Sequence, residues 1–541
     1  METREDLKSL LPFLPLVVRS SSLFWPSRVV EALKALSEGP DINNVNSGES
    51  LFAAISDIRN SLSLCAEPLA PSAPEGYSLF FDELMSRAES TKWFGEVLPA
   101  LANLLLRMPS LLQSHYENAD KFFNGVTNGV RTSLRLLGPQ VAGIVFLSQE
   151  LIAAFLACAF FCLFPVTDRG AKHLPTIDLD HLFEDLYENY SEKQENKIMC
   201  ILHYFERICS CTPGGFVSFE RKVLPWEQFP TGISYPGADF WNKSVAPLCS
   251  FEVHNLGFIE DQSNGALEVD FANKYLGGGA LHRGCVQEEI RFMINPELIA
   301  GMLFLPRMED NEAIEIVGAE RFSNYRGYAS SFRFSGDHVD RRNVDSFGRR
   351  NTRIVAIDAL NNPGMRQYKL NYLLREINKA FCGFSDLPKC NHYKSFFRNS
   401  GPQGAQSEEG DEDANVIPMN KYLVRGSDII EDSDETCSWC QDHKHKNGIA
   451  TGNWGCGAFG GDTEIKAIIQ WLAASQALRP AIFYYTFGVE VLRNLDKVSQ
   501  WIVSHEWTVG DLWNMLVEYS SQRLNGETNV GFFKWLLPSL C

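Results

Sequence analysis

At 541 residues the chain is longer than one ordinary domain, so two domains are the starting expectation. Its hydrophobic content of 45% allows substantial cores, while its formal charge of -18 argues against the basic surface typical of nucleic-acid-binding proteins. The 14 cysteines are too sparse and too irregularly spaced for a secreted disulfide framework, and they favour reduced thiols in a cytosolic or nuclear protein.

The N-terminal segment is predicted to be helical, without an export signal or a membrane span. Acidic residues precede its first apolar run, where a secretory signal would be basic. The most apolar stretch, residues 151–164, is shorter than the roughly 20 residues that cross a bilayer, so it predicts a buried core helix. Apolar residues repeat at spacings of three and four from about residue 5 to 210, which predicts a helical accessory or regulatory region over residues 1–240.

The character of the chain changes after Pro247. Segments rich in β-branched and aromatic residues predict strands, namely FEVHNLGFIE, ALEVDFAN, EAIEIVGAE, SSFRFSG, TRIVAIDAL and AIFYYTFG. Helical stretches such as MRQYKLNYLLREINKAFC and DTEIKAIIQWLAASQAL lie between several of them. This alternation predicts a layered α/β domain over residues 245–541, with ligand sites at the loops beyond the strand ends.

Residues 400–447 interrupt this domain with a predicted acidic, disordered insert. Residues 401–450 contain eleven acidic and four basic residues, a net charge of -7. Side chains of the types that bind zinc occur there at Cys437, Cys440, His443 and His445. No second well-spaced cysteine pair lies nearby, so a chance arrangement or a weak accessory site is the favoured interpretation. We expect neither a metal nor a cofactor in the functional site.

The motif that carries most chemistry lies between residues 266 and 293. A strand ending at Asp270 is followed by Asn273, by the glycines 277–279 and, after seven intervening residues, by Gln287-Glu288-Glu289 at a helix start. Three glycines let a ligand press against the backbone, and two carboxylates suit acid/base chemistry on a phosphate-bearing or sugar-bearing substrate. The structural alternative, in which the acids only complement the helix dipole, leaves the glycine turn and Asn273 unexplained.

A second glycine-rich loop covers residues 451–462 and opens a helix for which Asp462 or Thr463 is a natural N-cap. Backbone N–H groups at such a helix start can hold a diphosphate without lysine or arginine. An acidic chain could bind an anion in this way. The alternative is a structural turn before a capped helix.

At these residues the chain resembles the poly(ADP-ribose) glycohydrolases of eukaryotes, and most of all their plant members. The family signature is a triple glycine followed after six to eight residues by Gln-Glu-Glu, and the flanking segments VDFAN, EEIRFMINPEL and ATGNWGCGAFGGD also match. The resemblance implies a macrodomain-like three-layer α/β/α fold with a mixed sheet, preceded by a helical accessory domain. It implies hydrolysis of the ribose–ribose O-glycosidic bonds of poly(ADP-ribose) with release of ADP-ribose.

The resemblance also implies roles for individual residues. Glu289 would protonate the leaving ribose hydroxyl and then act as the base on water. Glu288 and Asn273 would hold ribose hydroxyls, Gln287 would help to position the sugar, and Asp270 would support the site from its strand. The other implied substrate-binding residues are Gly277, Gly278 and Gly279 at the turn, Asn453, Trp454, Gly455, Cys456, Gly457, Ala458 and Phe459 at the diphosphate, Tyr328 and Phe487 at the nucleotide, and Ile259 and Glu260 at adenine.

The adjacency of the two glutamates is informative in itself. Like charges disfavour joint ionisation, so one of Glu288 and Glu289 could stay protonated near neutral pH. Side chains of sequence neighbours usually point apart, which favours one catalytic and one binding glutamate, with Glu289 as the catalytic one. Two alternatives stay open: a non-catalytic ADP-ribose reader, and a hydrolase that removes the last, protein-linked unit. We expect poly(ADP-ribose) and poly(ADP-ribosyl)ated proteins as partners, no membrane or direct nucleic-acid binding, a monomer, and residence in nucleus and cytoplasm.

Overall fold

The computed structural model describes residues 1, 3–19, 22–64, 67–122, 132–226, 235–262, 265–386 and 447–539. These residues form two compact units. The first unit lies within 1–122, 131–223 and 267–359, and the second within 224–266 and 360–541. Apart from residue 447, the predicted acidic insert falls outside the described residues, and so do Cys437, Cys440, His443 and His445. The domain boundary near residue 240 stays a prediction.

The helices and strands are given in chain order. The α-helices are α1 Glu5–Leu10, α2 Ser27–Ser37, α3 Pro40–Asn43, α4 Gly48–Ser61, α5 Ala73–Ser78, α6 Arg87–Lys92, α7 Leu98–Phe122, α8 Gln149–Phe160, α9 Asp180–Glu188, α10 Glu192–Ser210, α11 Ala238–Asn242, α12 Gln287–Ile294, α13 Leu370–Phe384, α14 Thr463–Gln476, α15 Leu495–Ser504, α16 Val509–Asn525 and α17 Phe532–Leu536. The strands are β1 Val17–Arg19, β2 Ser22–Phe24, β3 Gly143–Ser148, β4 Phe216–Val223, β5 Ser250–His254, β6 Leu267–Asp270, β7 Glu312–Val317, β8 Ser323–Arg326, β9 Arg333–Asp337, β10 Arg353–Ala356, β11 Ile449–Gly452 and β12 Ala481–Tyr485.

The most apolar segment of the chain is the helix α8, and it lies in the core of the first unit. The Ser148 hydroxyl caps its start by accepting the N–H of Leu151 at 3.3 Å. Every residue from Leu151 to Phe160 is buried, as expected for a helix that is apolar on all sides. The predicted core helix is confirmed. Throughout the described part of the chain, no helix combines the length and apolarity needed to cross a membrane.

The first unit contains a mixed sheet whose five strands follow the order β3-β4-β7-β10-β6. The pairs β3–β4, β4–β7 and β7–β10 are antiparallel, whereas β10 and β6 are parallel. The strand β6 is buried along its whole length and ends at Asp270. Ligands of such sheets bind beyond the carboxyl ends of parallel strands, so this end of β6 is the natural place for a site.

The second unit contains three parallel strands in the order β11-β12-β5. The helix α14 follows β11 after the second glycine-rich loop and packs against α13. Asp462 caps α14 by accepting the N–H groups of Glu464 and Ile465 at 3.0 and 3.2 Å. The predicted capping is therefore confirmed, with Asp462 rather than Thr463 as the N-cap.

Within the described residues, four strands lie where the sequence predicts only a helical region. The strands β1 and β2 pair with each other, and β3 and β4 belong to the mixed sheet of the first unit. The strand β3 runs directly into α8 without a turn between them, and a short apolar run next to an apolar helix shows no periodicity that separates the two. The expectation of a helical region over residues 1–240 is corrected at these strands. The predicted strand SSFRFSG does form β9, but it pairs with β8 in a separate two-stranded sheet.

Candidate active site

The glycine turn follows β6 and adopts a backbone conformation that needs glycine. Gly277 has φ of 87° and Gly278 has φ of 50°, both in the left-handed region. The Asn273 side chain accepts the N–H of Tyr275 at 3.0 Å and so fixes the entry to the turn. The N–H of Gly278 donates to the carbonyl of Tyr275 at 3.0 Å, which closes the turn.

The absence of a side chain at Gly278 is what admits the two carboxyls. A Cβ atom there would lie 2.6 Å from Glu288 Oε2 and 2.9 Å from Glu289 Oε1. The expectation that the two neighbours point apart is therefore wrong. The turn folds back over the start of α12, so both carboxyls approach the same glycine. Any larger residue at this position has to displace one of them.

Glu288 and Glu289 are hydrogen-bonded to backbone N–H groups around the glycine turn. Glu288 accepts from Asn273 at 2.8 Å and from Gly277 at 2.6 Å. Glu289 accepts from Gly279 at 3.0 Å and from Val286 at 2.8 Å. The bond from Val286 is the helix-capping contact expected of an acid in the first turn, but the bond from Gly279 is not. The interpretation of Glu289 as a purely structural first-turn acid thus explains its hydrogen bond from Val286 but not the one from Gly279.

Gln287 joins the start of α12 to the end of β6. Its Oε1 accepts the N–H of Phe271 at 2.8 Å, and its Nε2 donates to the carbonyl of Val269 at 3.1 Å. The amide thereby orients the helix start against the strand. Tyr328, a half-exposed residue, lies beside the same helix start, where its hydroxyl is hydrogen-bonded to the backbone of Gln287.

Three carboxyls share this buried region, and they cannot all ionise easily. Burial raises the pKa of Glu288 well above its usual value, and the charges of Asp270 and Glu289 add to that rise against the bonds from Asn273 and Gly277. Burial also raises the pKa of Asp270 to about 8; the Arg291 guanidinium opposes this rise and Glu289 reinforces it. Asp270 and Glu288 consequently hold their protons to higher pH than exposed carboxyls do, and such groups can act as a proton source.

Beneath these carboxyls lies an ion pair that the sequence analysis did not identify. Arg291 of α12 contacts Glu268 of β6 at 2.5 Å, and Arg342 contacts the other oxygen of Glu268 at 2.8 Å. Arg291 and Glu268 are both buried, so the pair is costly to separate. A signal was available: Arg291 lies three residues after Glu288 on one helix, and such residues share a face.

The second unit places its predicted ligand residues after three neighbouring parallel strands. Asn453–Phe459 follow β11, Phe487 follows β12, and Ile259 and Glu260 form a turn after β5. The carboxyl ends of parallel strands share one edge of a sheet, so these residues collect at one edge of the second unit. Ile259 and Glu260 are buried, whereas Phe487 is exposed and has φ of 51°.

Side chains of the loop after β11 are held by contacts with α14 and with the chain after β12. Lys466 of α14 places its Nζ 3.9 Å from the centroid of the buried Trp454 ring and pairs with Glu376. The Asn453 amide donates to the carbonyl of Thr486 at 3.0 Å, so this side chain is engaged by the chain after β12. Gly457 and Ala458 are exposed at the top of the loop. Within the described ranges, no group of three or more His, Cys, Asp or Glu is arranged to hold a metal ion.

Comparison with known proteins matches two stretches of the chain to family descriptions. Residues 238–494 match "Poly (ADP-ribose) glycohydrolase (PARG), Macro domain fold", and residues 85–221 match "Poly (ADP-ribose) glycohydrolase (PARG), helical domain". A protein of Arabidopsis thaliana called "Poly(ADP-ribose) glycohydrolase 1" is 60% identical over 554 aligned residues, which cover 100% of this chain and 98% of that protein. The chain belongs to the poly(ADP-ribose) glycohydrolase family.

Other members of the family are also similar to the chain. A second Arabidopsis thaliana protein, "Probable poly(ADP-ribose) glycohydrolase 2", is 55% identical over the whole of both chains. "Poly(ADP-ribose) glycohydrolase 1" of Caenorhabditis elegans is 30% identical over 59% of this chain and 35% of its own length. The resemblance to plant poly(ADP-ribose) glycohydrolases is thereby confirmed, as are the macrodomain fold with its mixed sheet and the preceding helical domain.

Proposed function

We propose that the chain hydrolyses the ribose–ribose O-glycosidic bonds of poly(ADP-ribose), with Glu289 as the general acid and base. Membership of the poly(ADP-ribose) glycohydrolase family supports the reaction, since the similarity to the Arabidopsis proteins extends over the full chain. One structural observation supports the site: the carboxyls of Glu288 and Glu289 both approach Gly278, where a Cβ atom has no room. A sugar pressed against this turn would meet acid groups without intervening side chains.

In this reaction a single carboxyl first donates a proton and later accepts one. Glu289 donates its proton to the leaving ribose oxygen as the C–O bond breaks, and an oxocarbenium-like sugar forms. Water adds to the anomeric carbon while Glu289 takes up the proton that the water releases. A general acid/base contributes about 10²–10⁴-fold in rate. Positioning of the substrate and electrostatic support of the cation contribute the remainder.

The neighbouring side chains have supporting roles in this proposal. Glu288 and Asn273 bind ribose hydroxyls, Gln287 positions the sugar, and Asp270 supports the site from β6. Glu288 fits a binding role because its two bonds to backbone N–H groups hold the carboxyl in place. Gln287 acts through the helix start, since both ends of its amide are engaged by backbone atoms.

The nucleotide part of the substrate is assigned to the second glycine-rich loop and the strand ends beside it. The diphosphate lies along Asn453–Ala458 and beside Phe459, where backbone N–H groups and the start of α14 favour an anion. Ile259 and Glu260 recognise adenine, Phe487 packs on the nucleotide, and Tyr328 lines the adenosine pocket. Exposure of the Phe487 ring supports a role in ligand contact, because a ring of that size is usually buried.

An assay of the purified chain on labelled poly(ADP-ribose) tests the proposed reaction. Release of free ADP-ribose is the expected result, and binding without release would instead identify the non-catalytic reader. Mass spectrometry of the treated acceptor protein distinguishes the third possibility, since loss of the last protein-linked unit would reveal that activity. Polymer whose chain ends are blocked would separate attack at chain ends from attack at interior bonds.

The cellular setting belongs to the same proposal. The substrate is made mainly in the nucleus, so we expect the chain in nucleus and cytoplasm, acting as a monomer on polymer and on poly(ADP-ribosyl)ated proteins. Imaging of a fluorescently tagged chain and light scattering of the purified chain would test location and oligomeric state. An exclusively extracellular location, or a stable oligomer at working concentrations, would contradict these two points.

A further inference from the structure

The loop between the glycine turn and α12 is bound by one face of α10. This connecting loop comprises residues 280–286. Three side chains of α10 donate to three of its successive carbonyls: Gln194 to His282 at 3.4 Å, Lys193 to Arg283 at 2.8 Å, and Lys197 to Gly284 at 2.7 Å. Lys197 donates to the carbonyl of His282 as well. Residues three and four apart on a helix are neighbours, so Lys193 and Gln194 both lie beside Lys197, and α10 contacts the loop along its length.

The connecting loop is also the wall against which the Glu289 carboxyl is held. A Cβ atom on Gly284 would lie only 2.8 Å from Glu289 Cδ. The N–H of Gly284 donates to the carbonyl of Gly279 at 3.1 Å, and the N–H of Val286 donates to Glu289 at 2.8 Å. Displacement of the loop would therefore move Glu289 directly.

Lys197 differs from the other two donors because its charged group is fully buried where it contacts the connecting loop. Burial lowers the pKa of its ammonium to about 8, while the nearby Cys285 and Glu289 favour the charged form, Lys193 disfavours it, and Asp185 favours it. A buried ammonium is expensive unless its donors are satisfied and opposite charge is near. The carbonyls of His282 and Gly284 satisfy the donors, and the Glu289 carboxyl lies within electrostatic reach of the ammonium.

We propose that Lys197 is a positioning residue for the acid/base step, because it fixes the connecting loop against Glu289 and places a positive charge behind that carboxyl. Glu289 has to lose a proton to the leaving oxygen and exist as a carboxylate before water is deprotonated. A fixed cation behind it stabilises that carboxylate. This inference rests on the proposed function of Glu289.

The test compares Lys197→Met with Lys193→Met in the full chain at pH 7, below the pKa of about 8 of the buried ammonium. Methionine keeps the length and apolar stem of lysine but has neither charge nor N–H donors. Lys193 is a matched control, since it also donates to the connecting loop but lies at the protein surface. The measurements are kcat, KM, the affinity for ADP-ribose, and the pH dependence of kcat.

We expect Lys197→Met to lower kcat at least tenfold while KM and ADP-ribose affinity stay within about threefold, and to shift the pH profile of kcat toward higher pH. The shift follows because a nearby cation disfavours protonation of a carboxyl. Lys193→Met should keep kcat within about twofold. A Lys197→Met variant with normal kcat, or one whose kcat and ADP-ribose affinity fall together, would overturn the inference.

A second variant guards against misfolding. Lys197→Gln keeps N–H donors for the loop carbonyls but lacks the charge, and we expect it to show the same loss of kcat and the same shift. Full activity of folded Lys197→Gln would overturn the role of the charge. Inactivity of the parental chain on polymer would contradict the proposed function itself, whereas an active parent with unaffected Lys197 variants would contradict only this inference.

Discussion

Glu288 Oε1 accepts the backbone N–H of Gly277 at 2.6 Å, so this glutamate and the first glycine of the turn form one hydrogen-bonded unit. Its other oxygen accepts from Asn273 at 2.8 Å. The same carboxyl thus spans the turn from entry to first glycine. The spacing between the triple glycine and the two acids is the chain length needed for α12 to return under the turn. The triple glycine and the Gln-Glu-Glu segment are therefore joined by hydrogen bonds in the folded chain, in addition to supplying chemical groups.

Replacement of Glu289 by glutamine should separate chemistry from binding. The amide cannot donate a proton as an acid, so we expect kcat on polymer to fall at least about 100-fold while ADP-ribose still binds. Only one end of the amide can accept an N–H, which leaves Gly279 or Val286 without its acceptor and costs about 1–3 kcal/mol of stability. Steady-state kinetics, ADP-ribose titration and thermal unfolding measure these effects.

The control for that variant is Glu49→Gln, because Glu49 is an exposed acid in the first turn of another helix, α4. It should leave kcat unchanged and alter stability by less than about 0.5 kcal/mol. Turnover by Glu289→Gln close to that of the parent would remove Glu289 from the mechanism.

A methyl group at Gly278 should abolish the site by displacing the acids. The Cβ of Gly278→Ala would clash with Glu288 at 2.6 Å and with Glu289 at 2.9 Å, at a φ of 50° that alanine disfavours. We expect at least a 100-fold loss of kcat/KM. Gly364→Ala is the matched control, since Gly364 also has φ of 50° but a Cβ added there would meet no atom within 4 Å. Equal losses in both variants would show that backbone strain, and not the displaced carboxyls, is responsible.

The raised pKa of Asp270 predicts how stability depends on pH. The folded chain holds a proton on Asp270 up to about pH 8, whereas the unfolded chain releases it near pH 3.8. The contribution of this group to stability is therefore complete below pH 3.8 and is lost as the pH rises through about 8. Between these values it makes the free energy of unfolding fall by at most about 1.4 kcal/mol per pH unit.

Asp270→Asn removes that titration, so the difference in stability between variant and parent should move in favour of the variant from pH 5 to pH 8. Urea unfolding at both pH values measures this difference. Glu297, whose pKa burial raises to about 8, titrates in parent and variant alike, so it cancels from the comparison. A difference that is independent of pH would show that Asp270 is ionised in the folded chain.

Loss of Lys466 should weaken the loop assigned to the diphosphate. Lys466→Met removes the cation below the Trp454 ring and one partner of Glu376, which keeps Arg375 at 2.6 Å. We expect a loss of about 2 kcal/mol in stability, because a buried ion pair is broken but one partner stays paired. ADP-ribose should bind several-fold more weakly by calorimetry. Lys497→Met, at an exposed site on α15, should change neither quantity, and equal ADP-ribose affinity in both variants would contradict the proposed role of the loop.

Much of the architecture was predictable because its signals are local. The strands β5, β6, β7, β10 and β12 and the helices α13 and α14 all lie where the residue pattern predicted them. Each is either a β-branched run between turns or an amphipathic repeat, and both patterns reflect burial of one face. The strand β11 was not predicted, because it has only four residues, ends in glycine and merges with a loop.

The sequence by itself determined the family, the glycine turn and the pair of acids, because spacing along the chain carries that information. Only the tertiary structure decided that both carboxyls approach Gly278 and that Arg291 pairs with Glu268 beneath them. Only it showed that Lys197 donates to the carbonyl of Gly284, 87 residues away. Contacts between residues so far apart in the chain depend on how helix and turn pack, and no local pattern encodes that packing.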